Sequence, residues 1–267
     1  MEKKELSRIR LWLFDLDGTL YLGERIFSFT GPLLDAIRKS GGKYLFLTNN
    51  SSRSVEDAVK KLARLGIASA KGDFVTSSQA TALYLLRAHP GRRLYICGTE
   101  SLKAELHAHG FPIAGSWREA EAVVVGFDTE LTFRKLEDVC RLLAARPELP
   151  YIATNPDLVC PVEFGSVPDC GSICAMLRNA TAREPLVIGK PSPLMVELAM
   201  ERWGFAPGET AVVGDRLYTD IRCARSAGVT GIAVLSGETD RQMLAESPDV
   251  PDLVLQNAGE IIPYLKG

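Results

Sequence analysis

The stretch LWLFDLDGTL, residues 11–20, is the most informative part of the chain. Its four leading apolar residues are followed at once by Asp15 and Asp17, a pattern typical of a short strand buried on both faces. Side chains two residues apart in an extended segment point the same way, so both carboxylates can project beyond the end of the strand. Ligands of open parallel sheets bind in the crevice at that edge. The stretch therefore predicts a parallel sheet whose carboxyl edge carries a pair of carboxylates.

The paired carboxylates and the glycine after them indicate a site for a cation and an anion. Two nearby carboxylates repel each other, which favours a cation between them or a proton on one of them. Gly18 allows consecutive backbone amides to approach an anion closely. The alternative interpretation is an ordinary surface turn, because Asp-x-Asp-Gly turns are common and also occur in calcium-binding loops.

Strand-like and helix-like segments alternate along almost the whole chain. Further strands are predicted at 43–47, 94–97, 122–125, 151–153, 186–188, 210–213, 231–235 and 253–255. Helices are predicted at 31–40, 54–65, 101–109, 133–146, 171–179, 193–203, 217–227, 241–246 and 258–265. Such alternation is typical of parallel sheets with helices on both faces. We therefore predict an α/β fold with a doubly wound, Rossmann-like parallel sheet as its core.

Three of these strands end in polar residues that can reach the same edge of the sheet. A hydroxyl and two amides follow strand 43–47, a lysine follows strand 186–188, and two carboxylates follow strand 210–213. Taken singly, each has an ordinary explanation, such as a helix cap or a solvated loop lysine. Taken together they predict one site, formed by Asp15, Asp17, Gly18, Thr48, Asn49, Asn50, Lys190, Asp215 and Asp220.

Composition excludes several classes of partner. The 267 residues carry a net charge of −2, so an overall basic surface for nucleic acid is not expected. No stretch approaches the roughly 18 consecutive apolar residues that a membrane span needs. The N-terminal segment is charged, which argues against a secretory signal, and the six cysteines are scattered as in proteins of a reducing compartment. We therefore expect a cytoplasmic protein.

The ordered set of strand-end motifs resembles the haloacid dehalogenase superfamily of aspartate-nucleophile hydrolases. The first motif and GDRLYTD, residues 214–220, are the most specific parts. Within the superfamily, LTNNSSRS (47–54), ATNPD (153–157) and GDRLYTDI (214–221) are similar to the class IIA branch of 4-nitrophenylphosphatase and NagD-type proteins. The resemblance spans nearly the whole chain and implies a phosphoric monoester hydrolase.

The spacing of the motifs predicts an inserted domain. Thr48 and Lys190 are 142 residues apart, whereas one strand–helix–strand step takes about 30 residues. We place the insertion at 79–183, which leaves a discontinuous core of 1–78 and 184–267. In the class IIA branch such an insertion is an α/β cap that closes over the active site and positions the leaving group.

The resemblance implies a role for each strand-end residue. Asp15 would be the nucleophile that forms an aspartyl-phosphate, and Asp17 would be the general acid for the leaving oxygen and then the general base for water. Mg²⁺ would be held by Asp15, the backbone carbonyl of Asp17 and Asp215. A carboxylate attacks an anionic phosphate only if a divalent cation and Lys190 neutralise the charge. The phosphoryl group would be bound by Gly18, Thr48, Asn49 and Lys190, and Asp220 would orient the loop or Lys190.

Substrate contacts are implied for a smaller set of residues, namely Asn50, Asn155, Asp157, Cys160 and Asp169. Many relatives carry glycine at the position of Asp169, and a carboxylate facing the pocket would disfavour carboxylate-bearing substrates. Four of these residues, all except Asn50, lie in the predicted cap. For those four, the alternative explanation is an ordinary turn before a helix.

Other functions of the same motif order stay open at this point. A receiver-type signalling module also uses an aspartate, a threonine and a lysine, although it has neither the cap nor a residue such as Asp17. A phosphotransferase on the same fold is another alternative, because water is only one acceptor for an aspartyl-phosphate. The expected substrate is a small phosphorylated metabolite, and sugar phosphates, nucleoside monophosphates, phosphoglycolate and pyridoxal phosphate all fit. Class IIA relatives often dimerise through the cap, so a homodimer of that kind is also left open.

Overall fold

A computed structural model of the chain describes residues 3–162 and 164–265. Its strands are β1 (Leu11–Phe14), β2 (Tyr21–Leu22), β3 (Arg25–Ile26), β4 (Lys43–Thr48), β5 (Phe74–Thr76), β6 (Leu94–Cys97), β7 (Ala122–Val125), β8 (Tyr151–Ala153), β9 (Val159–Val162), β10 (Gly165–Pro168), β11 (Leu186–Val187), β12 (Thr210–Gly214), β13 (Thr230–Val234) and β14 (Leu253–Leu255).

The α-helices of the described residues are α1 (Thr30–Lys39), α2 (Val55–Arg64), α3 (Ser77–Ala88), α4 (Glu100–Ala108), α5 (Phe133–Ala145), α6 (Cys170–Thr181), α7 (Leu194–Trp203), α8 (Arg222–Ser226) and α9 (Arg241–Glu246). Short 3₁₀ segments cover Lys3–Arg8, Lys71–Asp73, Trp117–Glu119, Pro207–Glu209 and Ala258–Tyr264. One π-helical turn covers Leu217–Ile221. None of the helices within the described ranges combines the length and the hydropathy that a membrane span requires.

The main sheet has six parallel strands in the order β14-β13-β12-β1-β4-β5. From β1 the chain moves outward through β4 to β5, and it later continues on the other side through β12, β13 and β14. The topological switch point therefore lies between β1 and β12, whose register pairs Phe14 with Val213. This order confirms the predicted doubly wound parallel sheet, and ligands bind such sheets at the carboxyl ends of the strands beside the switch point.

Strands β1 and β12, on either side of the switch point, are buried along their whole length. All four residues of β1 and all five of β12 are buried. A parallel strand covered on both faces has no solvent side, which explains why β1 reads as an unbroken apolar run up to Asp15.

The chain divides into two compact units. The first unit comprises the residues up to Thr48, Val59–Val75 and those from Lys190 onward, and the second comprises Asn49–Ala58 and Thr76–Gly189. The second unit has its own four-stranded parallel sheet in the order β11-β8-β7-β6 and an antiparallel hairpin of β9 and β10. Its core packs the sheet against α5 and α6 through side chains such as Val125, Leu142 and Ile173.

The structural divisions differ from the predicted domain boundaries at three places. The predicted core began again at 184, but β11 pairs with Tyr151–Ala153 of the second unit. The predicted insertion began at 79, a position inside α3. Asn49–Ala58 also groups with the second unit, where the Ser51 hydroxyl bonds the Thr154 hydroxyl at 2.8 Å. Residues 1–2, 163 and 266–267 of the predicted ranges lie outside the described residues.

Some predicted elements differ in detail. The single helix predicted at 217–227 is a π-helical turn followed by α8, and the helix predicted at 258–265 is 3₁₀, with Pro263 inside it. Strand β5 and helix α3 were not predicted. The start of α3 carries a recognisable signal, because Thr76 and Gln79 form a reciprocal capping box with bonds of 3.1 and 3.2 Å.

Candidate active site

Asp15 and Asp17 follow β1 at the carboxyl edge of the main sheet. Asp15 is half-buried, whereas Asp17 is exposed and its Oδ1 accepts a hydrogen bond of 3.3 Å from the Gly23 amide. Although part of Asp17 reaches solvent, neighbouring protein atoms displace some of the water around its carboxyl group and so raise its pKa. The Asp15 charge adds to the rise, while the Gly23 amide and the Lys61 charge oppose it. A carboxyl with a raised pKa holds its proton more readily, which suits a group that must donate one.

Lys190 is the buried cation of this edge. Only 3% of its surface is exposed, and its ammonium donates to Asp15 Oδ1 at 2.5 Å, Asp220 Oδ1 at 2.6 Å and the Leu47 carbonyl at 3.3 Å. These acceptors match the three donors of an ammonium group. Burial by itself lowers the pKa of Lys190, but the two carboxylates outweigh that effect and raise it. Lys190 is therefore charged throughout the physiological pH range.

Asp215 follows β12 and offers one carboxylate oxygen without a partner. Its Oδ2 accepts a hydrogen bond of 2.7 Å from the Glu238 amide, whereas its buried Oδ1 has no hydrogen-bond partner among the described residues. Burial raises the pKa of Asp215 to about 8, with further contributions from the Asp15 and Asp220 charges. Asp215 is only 4% exposed, and a buried carboxylate oxygen without a partner is costly unless a cation or a proton satisfies it.

The π-helical turn orients Asp220. The Ile221 amide reaches back five residues to the Arg216 carbonyl at 3.4 Å, which widens the turn. Asp220 Oδ1 accepts from Lys190 and Oδ2 accepts from the Arg216 amide at 3.1 Å. Burial raises the pKa of Asp220 to about 6 against the opposing charge of Lys190. Both oxygens of this carboxylate thus already have donors.

The donor set at this edge fits a hard divalent cation. Asp15, Asp215 and Asp220 each present an oxygen within 4.8 Å of the others. Because both oxygens of Asp220 are hydrogen-bonded, Asp15 and the unpartnered Oδ1 of Asp215 are the best candidate ligands. Mg²⁺ prefers carboxylate oxygens and usually keeps several waters, so two carboxylates are a sufficient protein contribution.

The second unit brings together another predicted set, Asn49, Asn155 and Asp157. The Asn49 amide donates to Asp157 Oδ2 at 3.1 Å. The Asn155 amide donates to the Asn49 carbonyl at 2.9 Å, and Asn155 Oδ1 accepts from the Asp157 amide at 3.0 Å. In the first unit, Thr48 ends β4 and precedes Asn49 directly.

The remaining predicted substrate residues have local structural roles in the second unit. Asn50 Oδ1 accepts from the Ser52 amide and hydroxyl at 3.0 and 2.9 Å, which closes a tight turn. Asp169 is buried and caps the N-terminus of α6 by accepting from the Cys170 amide. Cys160 lies half-buried in β9, paired with Val167 of β10. Each of these residues thus has a local structural role, and its contact with substrate stays a prediction.

Comparison with known proteins adds an independent observation. A family model described as haloacid dehalogenase-like hydrolase matches residues 12–112, and one described as HAD-hydrolase-like matches residues 187–261. The 5'-nucleotidase YutF of Bacillus subtilis is 33% identical over 254 residues, which cover 95% of this chain and 98% of the relative. The chain belongs to the haloacid dehalogenase-like hydrolase family.

Solved structures agree with this assignment. The 4-nitrophenylphosphatase of Thermotoga maritima superposes with a TM-score of 0.93 at 37% identity, covering 98% of this chain and 99% of the other. The glycerol phosphate phosphatase of Mycobacterium tuberculosis, solved in complex with magnesium, gives a TM-score of 0.90 at 32% identity and covers 96% and 77% of the two chains. The predicted resemblance is confirmed, and the chain is a phosphatase of phosphoric monoesters.

One group of residues in this haloacid dehalogenase-like site was missed by sequence reasoning. Residues 236–239 follow β13, and they contact both Gly18 and Asp215. The strand at 231–235 was predicted, and Ser236, Glu238 and Thr239 follow it as polar residues at the same edge. The rule that ligands lie beyond the carboxyl ends of parallel strands could have drawn attention to them.

Proposed function

We propose that this phosphatase hydrolyses a small phosphorylated metabolite in a Mg²⁺-dependent reaction through an aspartyl-phosphate on Asp15. The observation that carries the proposal is the arrangement of Lys190, Asp15 and Asp215 at one edge of the sheet. A cation already pairs with Asp15, and Asp215 keeps one buried oxygen for a second cation. Phosphoryl transfer needs positioning and charge neutralisation more than it needs other covalent chemistry.

In the first half-reaction, a carboxylate oxygen of Asp15 attacks phosphorus while the bond from phosphorus to the leaving oxygen breaks. The electron pair of that bond stays on the leaving oxygen, which takes a proton from Asp17. Lys190 keeps positive charge beside Asp15 while the two anions approach. The raised pKa of Asp17 supports its part as the acid.

In the second half-reaction, Asp17 takes a proton from water, the water oxygen bonds to phosphorus, and the acyl-phosphate bond to Asp15 breaks. The net change is hydrolysis of one phosphoric ester, and both aspartates return to their starting states. Mg²⁺ held by Asp15, the Asp17 carbonyl and Asp215 would supply charge neutralisation for the transferring group. The Mycobacterium tuberculosis relative is solved in complex with magnesium and in complex with calcium, which supports a hard divalent cation at this site.

The phosphoryl oxygens would be bound at the turn of Gly18, by Thr48 and Asn49, and by Lys190. The Gly18 amide itself donates to the Tyr21 carbonyl at 2.7 Å, so Gly18, with its positive φ of 79°, would contribute by shaping the turn after Asp15. We also propose that the second unit acts as the class IIA cap and supplies the specificity-determining side chains. Asp157 accepts from the Asn49 side-chain amide, and Asn155 donates to the Asn49 backbone carbonyl. These two bonds would hold Asn49 in place as a donor to the phosphoryl group.

The substrate class is proposed from what the relatives share. Their names specify a 5'-nucleotide, 4-nitrophenyl phosphate and glycerol phosphate, which differ in the leaving group and share the phosphoric monoester. A phosphotransferase reaction differs only in the acceptor that takes the phosphoryl group from Asp15. Water is favoured as the acceptor because the names of the three relatives, a nucleotidase and two phosphatases, describe hydrolases.

The test is hydrolysis of 4-nitrophenyl phosphate by the purified protein, followed by a screen of phosphorylated sugars, nucleoside monophosphates and other small monoesters. We expect EDTA to abolish hydrolysis and Mg²⁺ to restore it. Activity that survives exhaustive chelation would contradict the metal assignment. Phosphate release that requires an added alcohol acceptor would favour the phosphotransferase.

A further inference from the structure

The loop of residues 236–239 hydrogen-bonds both the backbone carbonyl and the side-chain carboxylate of Asp215. The Thr239 hydroxyl and amide donate to the Asp215 carbonyl at 2.5 and 3.1 Å, and Thr239 is 2% exposed. The neighbouring Glu238 amide donates to Asp215 Oδ2 at 2.7 Å. One short segment thus binds both the backbone carbonyl and the carboxylate of Asp215. The other carboxylate oxygen, Oδ1, has no hydrogen-bond partner in the part of the chain that the structure describes.

Two glycines bring this loop close to the turn after Asp15. The Ser236 hydroxyl donates to the Gly18 carbonyl at 2.7 Å. A Cβ atom at Gly237 would lie 2.7 Å from the Gly18 Cα, and still closer to Asp215 Oδ2. A Cβ atom at Gly18 would be 3.1 Å from the Gly237 Cα. The backbones therefore meet at a distance that only glycine permits, and the Asp215 carboxylate lies against both.

We propose that Ser236, Gly237 and Thr239 are positioning residues that set the affinity for Mg²⁺ by presenting Asp215 Oδ1 to the ion. This inference rests on the proposed Mg²⁺ site and adds three residues that lie outside the proposed set of metal ligands. Partners that orient a metal-ligating carboxylate typically change metal affinity by about 10- to 100-fold when they are removed. The loop bonds to Asp215 through backbone and hydroxyl donors, so the positioning does not depend on a charged side chain.

A purely structural role for Thr239 would affect folding and leave Mg²⁺ affinity unchanged. Thr210 provides the matched control, because its buried hydroxyl also donates to a backbone carbonyl, that of Ala206, at 3.0 Å. Thr210 begins β12, whereas Asp215 follows the end of that strand. Loss of either hydroxyl removes one buried hydrogen bond of the same type from the first unit.

The test is a Mg²⁺ titration of the EDTA-treated full chain, monitored by the rise in thermal unfolding temperature and by 4-nitrophenyl phosphate hydrolysis. Thr239→Val should raise the half-saturating Mg²⁺ concentration about 10-fold or more, with much of the kcat recovered at saturating Mg²⁺. Thr239→Ser, which keeps the hydroxyl, and Thr210→Val should titrate like the unsubstituted protein. Ser236→Ala should shift the titration in the same direction and serves if Thr239→Val does not fold.

A second pair of variants tests the close approach of the backbones. Gly237→Ala places a methyl group against Asp215 and should weaken Mg²⁺ binding, whereas Gly208→Ala meets no atom within 4 Å and should not. Equal Mg²⁺ titrations for Thr239→Val, Ser236→Ala, Gly237→Ala and the unsubstituted protein would overturn this inference alone. An unsubstituted protein that shows no response to Mg²⁺ would overturn the proposed metal site as well.

Discussion

The Lys190 ammonium lies 2.5 Å from Asp15 Oδ1, although 175 residues separate the two in the chain. The same ammonium bonds Asp220, so a single buried cation pairs with the carboxylate proposed to attack phosphorus and with one that follows the adjacent strand. Three carboxylates at one sheet edge would repel each other strongly without this charge. Lys190 thus stabilises the folded site, and it is proposed to stabilise the reaction as well.

Replacing Lys190 should depress turnover of every substrate by a common factor. Lys190→Met keeps the length of the side chain and removes the charge that every phosphoryl transfer in this site would share, so kcat/KM should fall by about 10²-fold or more. The measurement is a panel of kcat/KM values over several monoesters. Lys103→Met is the control, because Lys103 pairs with exposed Glu100 on α4. Losses that differ widely between substrates would argue against a shared role.

Substitution of the two aspartates should separate the nucleophile from the acid. Asp15→Asn should accumulate no covalent phosphate, because an amide cannot form the acyl-phosphate. Asp17→Asn should still form it with 4-nitrophenyl phosphate, whose leaving group needs little protonation, and should hydrolyse it slowly. Mass spectrometry of acid-quenched protein measures the adduct. Phosphate bound covalently to the Asp15→Asn variant would refute the assignment of the nucleophile.

Stabilisation by Mg²⁺ should increase with pH. The pKa of Asp215 is about 8 in the folded chain against an ordinary value of 3.8, so the folded state binds the extra proton between these values. The free energy of unfolding in EDTA should therefore fall as pH rises through this window. Asp220, with a pKa of about 6, adds to this fall between about pH 4 and pH 6. Mg²⁺ needs the deprotonated carboxylate, so its effect should grow toward pH 8 and level off above it.

Thermal unfolding in EDTA and in saturating Mg²⁺ across this range measures both trends. Asp215→Asn removes the titrating group and the proposed ligand, so it should lose the Mg²⁺ effect and most of the fall in stability. A Mg²⁺ effect that is constant from about pH 6 to pH 8 would contradict the titration of Asp215 in this window.

Helix capping and substrate contact by Asp169 can be distinguished with a variant that removes the negative charge and keeps the capping group. Asp169→Ala removes the cap of α6 and should cost about 1 kcal/mol of stability, whereas Asp169→Asn can still cap the helix. If Asp169 also faces substrate, Asp169→Asn should raise kcat/KM for carboxylate-bearing monoesters relative to neutral ones. An unchanged ranking of substrates in this variant would leave helix capping as the role of Asp169.

Sequence reasoning identified the parallel sheet and selected polar residues at its carboxyl edge, because both depend on local pattern. An apolar run such as β1 ends at a polar residue wherever a buried parallel strand leaves the sheet, so Asp15, Lys190 and Asp215 could be selected without coordinates. The boundaries were harder to predict. Strand β11 has two residues, too few for a pattern to show that it pairs with β8 of the second unit.

The tertiary structure decided which of these side chains contact one another and how their pKa values are shifted. Only the fold shows that Lys190 pairs with both Asp15 and Asp220 and that the pKa of Asp215 is raised. Only the fold also shows that no group within the described ranges hydrogen-bonds to Asp215 Oδ1. The contacts of the loop of residues 236–239 with Gly18 and Asp215 also emerged only from the fold. The physical reason is that hydrogen bonding and desolvation depend on distances between segments far apart in the chain, whereas hydrophobic periodicity is a property of neighbouring residues.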